Sequence, residues 1–159
     1  MKKLLFMSDG SWTPSGFGTV MKNLISRLKD DYEVGILSWQ HVGCMQEFDG
    51  VKYYPVGQHQ FGKDMLPYVI EDFKPDYLVT LGDYWMIDYV AEPKMQEILK
   101  KNNTQWVWYI PIDSDIIPIQ YIELLAMPDI LVTMSQHGKR TAQGYGYDSV
   151  YIPHGIDTK

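Results

Sequence analysis

The sequence has 159 residues, of which 45% are hydrophobic and 21% charged, and its net charge at pH 7 is −6. That length predicts one domain, and the apolar fraction is sufficient for a sizeable core. The 14 basic residues form no marked cluster, which argues against nucleic acid as a partner because phosphate tracking needs grouped lysine and arginine. No apolar run approaches the roughly 18 residues of a membrane-spanning helix. We therefore expect no nucleic-acid partner and no transmembrane segment.

Two features indicate the compartment. The first apolar run turns polar at Ser8 and Asp9, too early for the apolar region of a signal peptide. The single cysteine, Cys44, cannot form an internal disulfide and has no partner at metal-ligand spacing. We predict a cytoplasmic location and interpret Cys44 as a small buried or half-buried apolar residue.

Strands and helices alternate along the chain. Helical spacing of apolar residues predicts helices at 19–29, 65–73, 85–101, 119–126 and 136–145, with the third open to interruption at Pro93. Apolar runs predict strands at 3–7, 33–39, 51–56, 76–81, 105–112, 130–134 and 150–152. The runs at 77–81 and 130–134 are apolar at nearly every position, as burial on both faces of a parallel sheet requires. The pattern predicts an α/β fold: a Rossmann-like, doubly wound, mostly parallel sheet of about seven strands with helices on both faces.

Ligands of such sheets bind in the crevice beyond the carboxyl ends of the strands. The segments that follow the predicted strands are therefore the candidate ligand face. They are 8–18, 39–44, 57–63, 82–85, 113–118 and 135–138.

The first of these segments contains Ser15-Gly-Phe-Gly18 immediately before a helical pattern. Such a loop allows close backbone approach and directs free amides and a helix dipole at an anion or a hydroxyl-rich group. The alternative is structural: glycines for a tight turn, with Ser15 or Thr19 as the helix N-cap. The dinucleotide fingerprint is incomplete because Met21 stands where its third glycine belongs, and no Gly-Lys-Ser/Thr of a P-loop is present.

Three stretches carry a family resemblance. They are TPSGFGTVMKNLISRL at 13–28, VTMSQHGKRTAQGYG at 132–146 and VYIPHGID at 150–157. Together they resemble the amino-terminal domain of GT-B glycosyltransferases of the retaining "group 1" (family 4-like) kind. The resemblance implies that residues 1–159 form one acceptor-side domain, with the junction to a second domain beginning at 152–159. It also implies a carboxy-terminal donor-binding domain missing from this chain, so that the chain alone is expected to be inactive.

The resemblance also implies roles for particular residues. The family's glycine loop lies against the donor, which places Ser15, Gly16, Phe17 and Gly18 in substrate binding, with amides positioned to stabilise the leaving diphosphate. Many members carry a histidine at the end of the fifth strand, where Asp113 stands here. A carboxylate there would act in catalysis, by binding an acceptor hydroxyl or stabilising positive charge on the sugar. The alternative is an aspartate that caps the next turn.

The remaining candidate substrate-binding residues lie at other strand ends. Asp83 follows one strand, and Tyr84 and Trp85 offer flat apolar faces for a sugar or, alternatively, belong to the core. His137 and His154 lie within the resembling segments, although a lone histidine is more often a hydrogen-bonded surface residue. We expect Ser135, just before His137, to cap a helix.

The sequence thus predicts a hexosyltransferase-like enzyme that transfers a sugar from a nucleotide-sugar donor to an unidentified acceptor hydroxyl with retention. The donor is a substrate, and no metal or other cofactor is implied. Asp113-Ser-Asp115 leaves open a metal-dependent GT-A reading, because Asp-x-Asp holds a divalent cation against the donor diphosphate there. The main alternative is a non-catalytic Rossmann-like module that binds a nucleotide or sugar, and an oxidoreductase domain is a third.

Overall fold

A computed structural model describes residues 1–155 of the chain as one eight-stranded sheet in the order β3-β4-β2-β1-β5-β6-β7-β8. Every neighbouring pair is parallel except β3 and β4. The last four residues of the predicted junction at 152–159 lie outside the described residues. The strands are β1 Lys3–Ser8, β2 Glu33–Ser38, β3 Gln46–Phe48, β4 Val51–Pro55, β5 Tyr77–Leu81, β6 Gln105–Ile110, β7 Ile130–Thr133 and β8 Val150–Tyr151.

Helices connect the parallel strands. They are α1 Gly16–Leu28, α2 Leu66–Phe73, α3 Tyr84–Ile87, α4 Pro93–Lys101, α5 Ile119–Ile122 and α6 Gln136–Gly144, with 3-10 turns at Asp88–Ala91 and Glu123–Ala126. Within residues 1–155, no helix combines the length and the apolar character needed to cross a bilayer. The predicted α/β, Rossmann-like, mostly parallel architecture is confirmed.

Two hydrophobic clusters cover the faces of the sheet. Met21 and Ile25 of α1 pack in one cluster, against Phe6 and Ile36 of the sheet. The other cluster takes the buried residues of α2, α4 and α6, among them Phe73, Leu99 and Ala142. Helices therefore lie on both faces, with α1 on one and the later helices on the other, as reversal of the winding direction at β1 requires.

The sequence missed β3 because its three residues are all exposed and form no apolar run. β3 pairs antiparallel with β4 across Asp49-Gly50, and both turn residues have positive φ, 53° and 73°. Two such residues are the signature of a tight hairpin whose twist matches its strands. The exposed Cys44 lies just before this hairpin, so the interpretation of that cysteine as buried or half-buried was wrong.

Two predicted helices are divided. The helix predicted at 85–101 consists of α3, a 3-10 turn and α4, so it is interrupted next to Pro93 as the sequence allowed, and Pro93 begins α4. Proline suits that first position because its missing N–H would have no partner in the first turn. The helix predicted at 119–126 likewise becomes a 3-10 turn after Ile122.

Candidate functional site

The candidate site lies where the carboxyl ends of the parallel strands meet. Strands that follow β1 are added first on its β2 side and later on its β5 side, so the order of the strands reverses at β1. The switch point of the sheet is therefore the crevice beyond the carboxyl ends of β1 and β5. The buried Ser8 ends β1 and its hydroxyl donates to the Leu81 carbonyl of β5 at 2.7 Å. This bond fixes the two strands together at the base of the crevice.

The glycine loop forms the first turn of α1. The helix begins at Gly16, three residues earlier than predicted, because the Ser15 hydroxyl accepts a hydrogen bond from the Gly18 amide at 2.9 Å. This confirms Ser15 as the N-cap. Thr19 lies inside the helix, where its hydroxyl donates to the Ser15 carbonyl at 2.9 Å.

The two glycines have different structural roles. A Cβ on Gly18 would stand 2.2 Å from the Thr13 carbonyl oxygen, whereas a Cβ on Gly16 would meet nothing within 4 Å. The Gly18 amide is engaged by the cap, so it is not free to stabilise a leaving diphosphate. The amides of Gly16 and Phe17 have no acceptor within residues 1–155, and the half-buried Phe17 ring packs against the core. The amides that this turn offers to a ligand are therefore those of Gly16 and Phe17.

A polar network that the sequence did not single out holds the loop after β1. The Asp9 carboxylate accepts from the Ser15 hydroxyl and from the Gln40 side-chain amide, each at 2.5 Å. The Gln40 side-chain oxygen in turn accepts from the Gly10 amide at 2.8 Å and the Thr13 hydroxyl at 3.2 Å. Gln40 thus joins the ends of β1 and β2. Asp9 and Gln40 lie in segments that the sequence predicted to face the ligand, but only the fold shows that their side chains are hydrogen-bonded to each other.

Asp83 and Asp113 are close enough for their charges to interact. Partial burial raises the pKa of the Asp83 carboxyl, and the charge of Asp113 raises it further. The same two carboxylates contribute to the pKa of Tyr84, which rises to about 12 with burial as the largest cause. Because Asp83 follows β5 and Asp113 follows β6, adjacent parallel strands carry them to the same edge. Three of the predicted site residues are thereby brought together.

The two aromatic candidates after β5 differ in exposure. The Tyr84 ring stacks on Tyr121 with centroids 5.3 Å apart and meets Trp108 edge-on at 5.7 Å. Its hydroxyl is buried without a partner in the described chain. Trp85 is 51% exposed and contacts Phe61 edge-on at 5.3 Å. Trp85 therefore presents a free aromatic face, while Tyr84 is largely packed.

The Asp113-Ser-Asp115 segment separates its two carboxylates. Asp113 interacts with Asp83, whereas an Asp115 oxygen lies 3.8 Å from His137 Nδ1. Within residues 1–155 no group of three or more histidine, cysteine or acidic side chains is arranged to hold a metal ion.

His137 and His154 occupy different places. Ser135 caps α6 as predicted, with its hydroxyl accepting from the Gly138 amide at 2.9 Å, and this places His137 in the first turn. An open cavity of about 430 Å³ adjoins His137, lined also by Asp115, Arg140, Thr141, Gly144 and Tyr145. The His154 ring lies edge-on to Tyr109 at 5.4 Å, and burial lowers the pKa of its imidazole. His137 therefore adjoins the Asp113 loop, while His154 packs on the end of β6.

Comparison with known proteins identifies the fold alone. No family model matches this sequence. The structure is similar to that of the Bordetella bronchiseptica enzyme WbmG in complex with NAD, with a TM-score of 0.52 at 16% identity. The match covers 82% of this chain and 51% of WbmG, so the chain spans about half the length of that enzyme. A match to the FeoB G-domain from Methanococcus jannaschii covers 96% of this chain and 87% of the other at 13% identity with a TM-score of 0.28, and it carries no argument.

Proposed function

We propose that this chain is the acceptor-side domain of a retaining GT-B glycosyltransferase that uses a nucleotide-sugar donor. The Rossmann-like fold and a capped helix at the switch point support the proposal. The motifs at 13–28, 132–146 and 150–157 supply the family resemblance. In this proposal the amides of Gly16 and Phe17 face the donor diphosphate, where the positive end of the α1 dipole favours negative charge.

The observation that carries the proposal is the placement of Asp83 and Asp113 after the adjacent parallel strands β5 and β6, beside the crevice. Partial burial is the larger cause of the raised pKa of Asp83 and the charge of Asp113 the smaller, so Asp83 retains its proton to higher pH than an exposed aspartate does. Asp113 is then the carboxylate that binds the acceptor hydroxyl or stabilises positive charge developing on the transferred sugar. Asp83, beside it, binds a sugar hydroxyl, and the exposed Trp85 ring packs against an apolar sugar face.

Calorimetric titration of this chain with nucleoside diphosphates and nucleotide sugars, with and without magnesium, tests the donor arrangement. The same titration is made with a longer protein, in which this chain is joined to the donor-binding domain that the proposal requires. Donor binding in the longer protein alone, indifferent to magnesium, is expected. Tight binding to the short chain would instead favour the non-catalytic nucleotide-binding module, and magnesium-dependent binding to it would favour the metal-dependent alternative.

Asp113→Asn tests the catalytic assignment in that longer protein. Donor hydrolysis or transfer is expected to fall by on the order of a hundredfold, the usual loss when one electrostatic contact to the transition state is removed. Asp88→Asn is the matched control, since Asp88 is an exposed carboxylate in the 3-10 turn after α3. Equal activity of the two variants would remove Asp113 from the mechanism.

A further inference from the structure

The carboxyl end of β2 contains buried polar groups that nothing in the described chain satisfies. The Ser38 hydroxyl and both ring nitrogens of His41 have no hydrogen-bond partner within residues 1–155. Ser38 is fully buried and His41 is 8% exposed. The Trp39 indole nitrogen between them also lacks a partner, which makes four such atoms in one turn. An unsatisfied buried polar group costs about 1–3 kcal/mol, so this turn indicates a place where a ligand supplies the missing partners.

Ser38 and His41 belong to one tight turn, because the His41 amide donates to the Ser38 carbonyl at 3.1 Å. A Cβ added to Gly10 would stand 2.7 Å from both the Ser38 hydroxyl and the Trp12 ring. The absence of a side chain at Gly10 therefore leaves the Ser38 hydroxyl and Trp12 near each other. The Asp9 and Gln40 network described above holds Gly10 in this position.

Trp12 covers this turn. Its ring meets His41 edge-on at 6.2 Å and lies tilted against Tyr53 at 5.4 Å, while 54% of the residue remains exposed. No hydrogen bond from the indole to residues 1–155 restrains it, so packing alone holds the ring in place. Because packing alone holds the ring, it rotates aside without breaking a hydrogen bond, and it then flanks whatever enters beneath it.

We propose that Ser38 and His41 bind hydroxyl groups of a carbohydrate, and that Trp12 swings outward to admit the sugar and stacks on it. A sugar hydroxyl both donates and accepts hydrogen bonds, so it can pair with the serine hydroxyl and with either nitrogen of the imidazole ring. The flanking rings of Trp12 and Tyr53 suit the apolar face of a sugar. No lysine or arginine pairs with these polar side-chain atoms within residues 1–155, so the site matches a neutral polyol better than a phosphate.

This inference rests on the proposed function and deepens it, since it names the acceptor as a carbohydrate bound beside the crevice. Saturation-transfer NMR of this chain without nucleotide tests it, with methyl α-D-glucopyranoside, methyl α-D-mannopyranoside and myo-inositol as probes. At least one probe is expected to bind wild type. Trp12→Ala and Ser38→Ala are expected to weaken that binding by on the order of tenfold, the loss of one well-made contact.

Two further variants make the result specific. Trp12→Phe keeps an aromatic face and is expected to retain more binding than Trp12→Ala. Tyr68→Ala, which removes an exposed ring on α2 (71% exposed), is expected to bind as wild type does. Thermal unfolding of each variant confirms that it is folded at the temperature of the NMR measurement.

The inference is overturned if no probe binds wild type, or if Trp12→Ala and Ser38→Ala bind as tightly as Tyr68→Ala; the turn then holds ordered water alone. Failure of the proposed function is a separate result, seen as absence of donor binding and transfer in the longer protein. Sugar binding lost in the Trp12 and Ser38 variants would stand even then, as a property of a carbohydrate-binding module.

Discussion

Gly18→Ala tests how tightly the loop after β1 is held against α1. The added Cβ would stand 2.2 Å from the Thr13 carbonyl oxygen and 3.0 Å from that of Gly10, so backbone must move by roughly 1 Å. The Thr13 carbonyl already accepts from the Ser15 amide at 2.8 Å, and the Gly10 carbonyl accepts from the Thr13 amide at 2.9 Å. Overpacking with strain on these bonds is expected to cost about 2–3 kcal/mol.

Urea unfolding followed by circular dichroism measures that cost, and thermal unfolding should show a fall in Tm of about 4–12 °C for a domain of this size. Gly16→Ala is the matched control two residues away, because a Cβ there meets nothing within 4 Å. Its stability is expected to be unchanged or raised by up to about 1 kcal/mol, since alanine is favoured over glycine in a helix. If Gly18→Ala lies within roughly 0.5 kcal/mol of Gly16→Ala, the close approach does not constrain Gly18 and this reasoning fails.

Two further pairs of substitutions test the helix caps and the two carboxylates. Ser15→Ala should lower the free energy of unfolding by about 1–2 kcal/mol and Ser135→Ala by about 1 kcal/mol, as measured in urea. The larger loss is expected at Ser15 because its hydroxyl also donates to the Asp9 carboxylate, whereas Ser135 only caps its helix. Equal losses would mean that the hydrogen bond to Asp9 adds no stability. The folded pKa of Asp83 lies above its unfolded value, so the stability gained from its protonated form is present below about pH 3.8 and lost as pH rises through the folded pKa. Unfolding of Asp83→Asn between pH 3 and pH 7 should therefore show a smaller loss with rising pH than wild type, and Asp113→Asn should show part of the same effect. Parallel curves for wild type and Asp83→Asn would contradict the raised pKa.

The fold class was accessible from sequence because buried parallel strands need nearly continuous apolar runs. The segment at 77–81 shows this, and its position between turn signals located β5. The short exposed β3 contains no apolar run, and the only sequence feature that indicates it is the Asp49-Gly50 turn that follows it. The interruption of the helix predicted at 85–101 was expected at Pro93, but the 3-10 turn before it was not, since the residues of that turn still pack on the core.

The sequence by itself placed Ser15, Gly16, Asp83 and Asp113 at strand ends, because the order of runs and turns sets which segments follow which strands. Only the tertiary structure decided what each residue does there. Pairing of β5 with β6 brings Asp83 and Asp113 together although 30 positions separate them, and the approach of the Thr13 carbonyl makes glycine necessary at 18 but not at 16. Only the tertiary structure likewise shows that the side chains of Ser38 and His41 are buried without hydrogen-bond partners in residues 1–155. Burial and missing partners are properties of packing between distant segments, and local sequence pattern does not encode them.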